Sequence, residues 1–205
     1  MSSRDVVLGR LRAALKGAPA PDDVPREYRA TVAVPDLVEL LTDRLVDYRA
    51  VVHTVPGDGD IATTVATIVG DGTLVIPPGL PVDWLPAGVE VLHDEGLDAD
   101  TLAGVAGVVT GATVAVAETG TIVLDAAPDQ GRRIITLLPD LHICVLRPDQ
   151  IVASVPEAIA RITPGRPLTW ISGPSATSDI ELNRVEGVHG PRRLHVIVVQ
   201  DAGAG

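Results

Sequence analysis

Residues 50–77, AVVHTVPGDGDIATTVATIVGDGTLVIP, decide the fold class. Apolar, β-branched runs at the two ends, Ala50–Val55 and Thr73–Pro77, predict two strands. Between them, residues 60–69 have the apolar spacing of a helix that Gly70 ends. A strand, a helix and a second strand at this spacing indicate an α/β protein with a mixed, mainly parallel sheet flanked by helices.

The loop inside this unit, Gly57-Asp-Gly-Asp-Ile-Ala62, matches the G-x-G-x-x-A pattern of dinucleotide-binding loops. Asp58 and Asp60 would repel a pyrophosphate, and Asp60 can instead cap the helix that follows. We therefore assign the loop to helix capping rather than to a nucleotide site.

Upstream of this unit, the sequence predicts two helices separated by an arm. Residues 2–16 predict a helix capped by Ser2 or Ser3, and a second helix starts at Pro35. Prolines and charges fill the segment between them. We divide the chain into an N-terminal helix and linker arm (1–34), a single α/β domain (35–199) and a disordered tail (200–205).

Downstream, several apolar runs follow one another without intervening helices. They are Val108-Val109, Thr113–Ala117, Thr121–Leu124, Ile134–Leu138 and Ile143–Val145. Because turns join these runs, we expect local antiparallel or mixed pairing. The predicted sheet is completed by a helix at Pro156–Arg161, a strand at Leu168–Ser172, a helix after Ser178 and a strand at Leu194–Val199.

The composition excludes several classes of function. Aromatic residues make up 2% of the 205 residues, and the formal net charge is −11. Such a chain is unsuited to nucleic acid or to anionic membranes, because both require cations and the former also requires stacking platforms. No apolar run approaches the ~20 residues of a membrane span. The single cysteine excludes an internal disulfide, so we expect a cytoplasmic protein.

Cysteine and histidine give little support for a metal or redox site. Cys144 lies in an apolar run, where a buried thiol is common, although His142 shares its face of the strand. One thiolate cannot hold an iron–sulfur cluster, and the histidines lack the spacing of zinc ligands. We expect no metal ligands and no cofactor in this chain. His189, in a glycine-flanked turn, is kept as a candidate ligand contact.

The stretch from Trp170 to Pro191 is a candidate binding site. A strand is followed by a glycine turn, several hydroxyls and a predicted helix, and a helix N-terminus favours an anion. Ser178 and Glu181 also form a capping box, which explains these two residues without a ligand. The candidate contacts are Gly173, Ser175, Thr177, Ser178, Asp179 and His189.

The turn Ala117-Glu-Thr-Gly-Thr121 provides the other half of the candidate site. A glutamate and a glycine interrupt an apolar strand, where a carboxylate needs a partner or a chemical role. Arginines downstream could bind a carboxylate or phosphate, although a turn with solvated arginines explains them equally well. We place the candidate catalytic residue Glu118 opposite residues 173–179, together with Thr119, Gly120, Thr121, Arg132, Arg133 and His189.

Several of these segments resemble the lactate utilization (LUD) domain. They are Ala117–Leu124, Gly131–Arg133, Leu138–Val145, Gly173–Leu182 and Gly187–Pro191. The resemblance is specific from about residue 105 to 199, and within the domain family it is to the short, cluster-free lactate utilization protein C family. It implies a fold similar to the ribose-5-phosphate isomerase, sugar-phosphate deaminase and CoA-transferase superfamily.

The resemblance also implies a role in the oxidation of L-lactate to pyruvate, with partner proteins that carry iron–sulfur clusters. The chain would then be a non-redox component that binds a small anion or docks onto those partners. One alternative is a stand-alone CoA-transferase- or isomerase-like enzyme, because the Glu118 turn is similar to the glutamate turn of CoA transferases. A scaffold without a pocket is a second alternative.

Overall fold

The computed structural model describes residues 2–18, 27, 29–175 and 190–200, and the backbone of residues 176–177 and 185–186. The helices of these ranges are α1 (Ser3–Ala14), α2 (Leu37–Asp47), α3 (Ile61–Val69), α4 (Ala99–Gly104) and α5 (Val155–Arg161). The strands are β1 (Val51–Val55), β2 (Leu74–Ile76), β3 (Val91–His93), β4 (Gly107–Thr110), β5 (Val114–Val116), β6 (Thr121–Leu124), β7 (Leu141–Leu146), β8 (Ile151–Val152), β9 (Thr169–Ile171), β10 (Ala176–Thr177), β11 (Val185–Glu186) and β12 (Arg193–Val199). No helix in the described part of the chain is long and apolar enough to cross a membrane.

Six strands form a parallel sheet in the order β1-β12-β7-β4-β2-β3. Every residue of β7 is buried, as is usual for a central strand covered on both faces. On one face, Ile61 and Val65 of α3 pack against apolar side chains of the sheet. The predicted α/β fold with a mainly parallel sheet flanked by helices is confirmed.

A second sheet, β8-β5-β6-β9, packs on the opposite face together with α2. Its pairings are mixed: β5–β6 and β6–β9 are antiparallel, and β5–β8 is parallel. The mixed pairing expected for the middle of the chain occurs here, whereas β4 and β7 join the parallel sheet. The apolar runs predict a single sheet, whereas the structure divides them between two.

Two predicted elements differ from the structure in type or in starting point. The segment predicted as the strand Ile134–Leu138 is instead a 3-10 helix, Arg133–Thr136. The amides of Ile135 and Leu137 bond to carbonyls three residues earlier, at 3.1 and 3.2 Å, and so do not join a sheet. Helix α2 begins at Leu37 rather than at Pro35, because the Asp36 carboxylate caps it.

The helix predicted after Ser178 lies outside the described residues. On either side of that segment, residues 176–177 pair antiparallel with residues 185–186. The chain therefore forms a short strand between Ser175 and the segment for which the helix is predicted. Residues 201–205 of the predicted tail also lie outside the described ranges, while the amide of Gln200 bonds to Val55 O at 2.8 Å.

Candidate functional site

A cavity of about 300 Å³ opens at the amino-terminal ends of β7 and β12. The 3-10 helix Arg133–Thr136 forms one wall, and residues 169–175 of β9 and the following turn form another. Three of the described lining residues are buried: Thr136, and His142 and Leu194, each of the latter two being the second residue of its strand. The cavity thus collects segments that are far apart in the sequence.

Three of the predicted ligand contacts line this cavity: Arg133, Gly173 and Ser175. Gly173 has a φ of +88°, and a Cβ at this position would lie 2.7 Å from the Cβ of Tyr48. A glycine is therefore required where this turn packs against the end of α2. For Thr177 only the backbone is described, and the predicted contacts Ser178, Asp179 and His189 lie outside the described residues.

A chain of hydroxyls joins the predicted glutamate turn to the cavity wall. The Oγ1 atoms of Thr119 and Thr121 lie 2.8 Å apart, and Thr121 Oγ1 lies 2.8 Å from Ser172 Oγ. The adjacent Gly120 has a φ of +60°, and a Cβ there would lie 2.7 Å from the Cβ of Arg44. The structure thus brings Thr119, Gly120 and Thr121 close to the segment that carries Gly173.

The carboxylate of Glu118 is not among the groups that line the cavity. It forms an ion pair with Arg29 at 3.2 Å, and the side chains of Arg29 and Glu118 are 66% and 47% exposed. An exposed pair of this kind contributes only about 0–1 kcal/mol to stability. Nearby, the amide of Val32 donates to Glu157 at 3.1 Å, so the arm predicted as a linker lies against α5 and the glutamate turn.

The two predicted arginines are directed to different places. Arg132 Nε donates to Asp94 Oδ2 at 2.8 Å, and its Nη2 donates to Asp94 Oδ1 and to Leu97 O. The Asp94 side chain is fully buried, and the hydrogen bonds from Arg132 lower its pKa. Arg132 therefore neutralises a buried carboxylate beside a separate cavity, whereas Arg133 lines the cavity described above.

His142 also lines the cavity, although it is not among the ligand contacts predicted from the sequence. Its Nε2 lies 2.8 Å from Thr110 Oγ1 on the neighbouring strand β4. Burial lowers the pKa of His142 to about 4, so the ring is neutral near pH 7. In the sequence, the feature that could have indicated His142 is its position as a histidine within the otherwise apolar run of β7.

Cys144 shares a face of β7 with His142 and is fully buried. Its Sγ lies 3.7 Å from Gly111 O, and burial raises the pKa of the thiol to about 12. The side chain is therefore a protonated core residue, in agreement with the preferred interpretation of the sequence.

The other face of the parallel sheet carries a pair of histidines. His53 Nε2 lies 3.0 Å from His195 Nδ1, and the two rings stack with their centroids 5.2 Å apart. Burial lowers the pKa of both, that of His195 to about 4. Among the described residues, no group of three or more histidine, cysteine, aspartate or glutamate side chains is placed to hold a metal ion.

The glycine-rich loop before α3 forms a 3-10 turn and an ion pair with another part of the chain. Asp58 forms an ion pair with Arg147 at 2.6 Å, and Asp58–Asp60 form a 3-10 turn. Asp60 occupies the N-cap position of α3, but its side chain makes no capping hydrogen bond, contrary to the expected role. Its backbone conformation is helical, so the 3-10 turn runs directly into α3.

The described residues that line the cavity combine one cation with several neutral hydrogen-bonding groups. Arg133 makes no ion pair with a described side chain, so its guanidinium can meet a ligand. The lining also includes the hydroxyl-bearing residues Thr136, Thr169, Ser172 and Ser175 and the neutral imidazole residue His142. Guanidinium and hydroxyl groups are a typical set for a carboxylate or phosphate.

Comparison with known proteins places these features in a family. The LUD domain matches residues 83–199, which contain most of both sheets and all of the residues that line the cavity. A lactate utilization protein C from Deinococcus radiodurans is 47% identical over 181 residues, which cover 85% of each chain. The lactate utilization protein C of Bacillus subtilis is 34% identical over 134 residues, 60% of this chain and 55% of that protein.

A solved structure shows the same architecture. The crystal structure of a DUF162 family protein from Deinococcus radiodurans superimposes with a TM-score of 0.69 and 41% sequence identity. The alignment covers 80% of this chain and 96% of that one. With the domain match over more than half of the sequence and a relative of 47% identity, the chain belongs to the LUD domain family.

Proposed function

We propose that the chain is a lactate utilization protein, a non-redox component of a multi-protein system that oxidises L-lactate to pyruvate. In that system it binds a small anion in the cavity beside Arg133. The relatives named lactate utilization protein C support the metabolic assignment. The observation that supports anion binding is the guanidinium of Arg133, which forms no ion pair with a described side chain. The other described residues that line the cavity carry hydroxyls, a neutral imidazole and apolar groups.

The proposal assigns electron transfer to iron–sulfur partner proteins in the cytoplasm. An iron–sulfur cluster requires several thiolates, and the one cysteine of this chain is buried with a pKa raised to about 12. Cys144 therefore cannot supply a cluster ligand without unfolding its part of the core. The role left to this chain is to bind the anion and to contact those partners.

A stand-alone CoA-transferase- or isomerase-like activity would depend on Glu118. That carboxylate is paired with Arg29 and is not among the groups that line the cavity. The contacts described here therefore favour the anion-binding component over an enzyme that uses Glu118 as nucleophile or base.

Growth on L-lactate as sole carbon source tests the proposal. A strain lacking the gene is complemented with the wild type, with Arg133→Gln, or with Arg12→Gln, which removes the same charge from an exposed position on α1. We expect the wild type and Arg12→Gln to restore growth and Arg133→Gln to fail, although all three proteins accumulate equally. Full growth with Arg133→Gln would contradict anion binding at this site, and normal growth of the deletion strain would contradict the metabolic role.

A further inference from the structure

We infer that the N-terminal helix α1 docks on the acidic outer face of α2 in a second copy of this chain, so that two copies exchange their N-terminal helices. The inference goes beyond the proposed function, because it concerns a surface between proteins rather than the cavity. No residue of α1 or α2 is among the described residues that line the cavity, so we expect this association to leave anion binding unchanged.

Helix α1 has an apolar stripe that the single chain leaves uncovered. Val7, Leu11 and Leu15 follow one another at intervals of four residues along one side, and each is more than half exposed. No residue of the helix is buried. A helix of 12 residues is marginal in water by itself, and its stability comes mainly from the packing of an apolar face. We therefore expect the stripe to be covered by a surface of another molecule.

The helix is basic, whereas the rest of the chain is strongly acidic. Residues 3–18 contain four cations and one carboxylate, although the whole chain has a formal net charge of −11. The cations are Arg4, Arg10, Arg12 and Lys16, and none of them forms an ion pair with a described residue. An anionic membrane would attract this helix but repel the remainder of the chain. The charges therefore favour an acidic protein surface.

The outer face of α2 has the complementary pattern. Glu39, Asp43 and Asp47 are exposed at intervals of four residues, and Val46, which is more than half exposed, lies on the same side of the helix. Within the described part of the chain, Glu39 and Asp43 form no ion pair, and Asp47 pairs with Arg44 of its own helix at 3.6 Å. This face thus offers carboxylates and an apolar contact to a basic amphipathic helix.

The lengths of the two helices and of the arm allow an exchange between copies. Helix α1 has 12 residues and α2 has 11, so both are roughly 17–18 Å long. Ten residues separate Ala18 from Arg29, which pairs with Glu118, and they give the arm a reach of up to about 35 Å. In the single chain both complementary faces are exposed, so we place their contact between copies. A symmetric pair makes this contact twice.

Sedimentation equilibrium of the full-length wild-type protein tests the inference without any substitution. At about 0.05 M NaCl we expect a reversible monomer–dimer equilibrium with a micromolar Kd, because each contact involves a single short helix. Raising NaCl to about 0.5 M should weaken the dimer at least about threefold, since exposed ion pairs are screened. A protein that stays monomeric up to about 200 μM, whether or not it binds vesicles of anionic lipid, would overturn the inference.

A substitution in the apolar stripe tests the surface of α1. Leu11→Ser should weaken the dimer at least about tenfold, because it removes an apolar contact at the centre of the stripe. Val82→Ser is the matched control, since it changes an exposed valine outside both helices, and it should leave the dimer unchanged. Both side chains are exposed, so we expect both variants to fold. Equal dimerisation of the wild type and Leu11→Ser would refute docking through this stripe.

Mixing two charge-reversed variants tests whether the docking surface belongs to a second copy. Arg10→Glu and Asp43→Arg should each weaken the dimer at least about threefold, because like charges then face each other. An equimolar mixture should recover the dimer, since the reversed α1 of one variant meets the reversed α2 of the other and the second contact is wild-type. A mixture that associates as weakly as its components would overturn the exchange in favour of docking on the same chain or on a different protein.

Discussion

The hydroxyl oxygens of Thr121 and Ser172 lie 2.8 Å apart and join the two segments around which the candidate site is built. Thr121 is the first residue of β6, directly after the glutamate turn, and Ser172 follows β9 and lines the cavity. Thr119 extends this contact by a further hydroxyl. The turn therefore reaches the cavity through its threonines, while its carboxylate is directed to Arg29.

This contact predicts an energetic coupling between the two segments. Thr121→Val keeps the side-chain shape but removes the hydroxyl, and we expect the free energy of unfolding to fall by about 1–2 kcal/mol. Ser172→Ala should cost less, because Ser172 is exposed. In a double-mutant cycle measured by urea denaturation, the coupling should be about 0.5–1.5 kcal/mol, and additive effects would show that the hydroxyls do not interact.

The turn at Gly173 should tolerate no side chain. Gly173→Ala places a Cβ 2.7 Å from Tyr48 Cβ and 2.8 Å from its carbonyl oxygen, in addition to the strain of a positive φ. Gly88→Ala is the matched control, since Gly88 has a similar φ of +83° and no atom within 4 Å. We expect a loss of about 1 kcal/mol for Gly88→Ala and at least about 1 kcal/mol more for Gly173→Ala. Equal losses in urea denaturation would refute the close packing.

Buried histidines predict that stability decreases on mild acidification. The pKa of His142 is about 4 in the folded protein and about 6.5 when exposed, so the unfolded state binds protons first as the pH falls. The free energy of unfolding should therefore be constant above about pH 6.5 and decrease between 6.5 and 4. His195 acts in the same direction, because burial and the neighbouring His53 and Arg193 also lower its pKa to about 4.

Urea denaturation at a series of pH values measures this dependence. The free energy of unfolding of His142→Gln should decrease less steeply with falling pH than that of the wild type. The two slopes should differ by at most about 1.4 kcal/mol per pH unit, the value for one proton. The exposed His93 provides the control His93→Gln, whose pH profile should match that of the wild type. Identical slopes for the wild type and His142→Gln would show that His142 is not buried in its neutral form.

The thiol of Cys144 should be unreactive in the folded protein. Burial raises its pKa to about 12, so the thiolate that reacts with disulfide reagents is scarce and inaccessible. We expect negligible modification by a disulfide reagent under native conditions and complete modification in denaturant. Rapid stoichiometric reaction of the native protein would contradict the buried position, and Cys144→Ala, which lacks the thiol, is the blank for the assay.

The parallel sheet could be predicted from units such as residues 50–77, in which two apolar runs are separated by a segment with the apolar spacing of a helix. The division into two sheets could not, since β5 and β6 are as fully buried as β4 and β7, and burial alone does not say which sheet a strand joins. The 3-10 helix Arg133–Thr136 was mistaken for a strand because its isoleucines and threonine are typical of strands. Its local hydrogen bonds are visible only in the structure.

The candidate site was predictable in its segments but not in its individual side chains. Arg132 and Arg133 are adjacent in the sequence, and nothing local indicates that Asp94, 38 residues away, binds the first and leaves the second for the cavity. From the sequence, His142 is indicated only as a neighbour of Cys144 on one face of a strand. Its position in the lining of the cavity depends on Arg133, Ser175 and other residues that three separate segments bring together.

A crystal structure of the protein grown with a saturating concentration of L-lactate would show most directly whether the anion binds beside Arg133. We predict density for one lactate in the cavity, with its carboxylate at about 3 Å from the guanidinium of Arg133. Lactate bound instead beside Glu118 or Arg132, or a cavity that contains only water, would contradict the assignment.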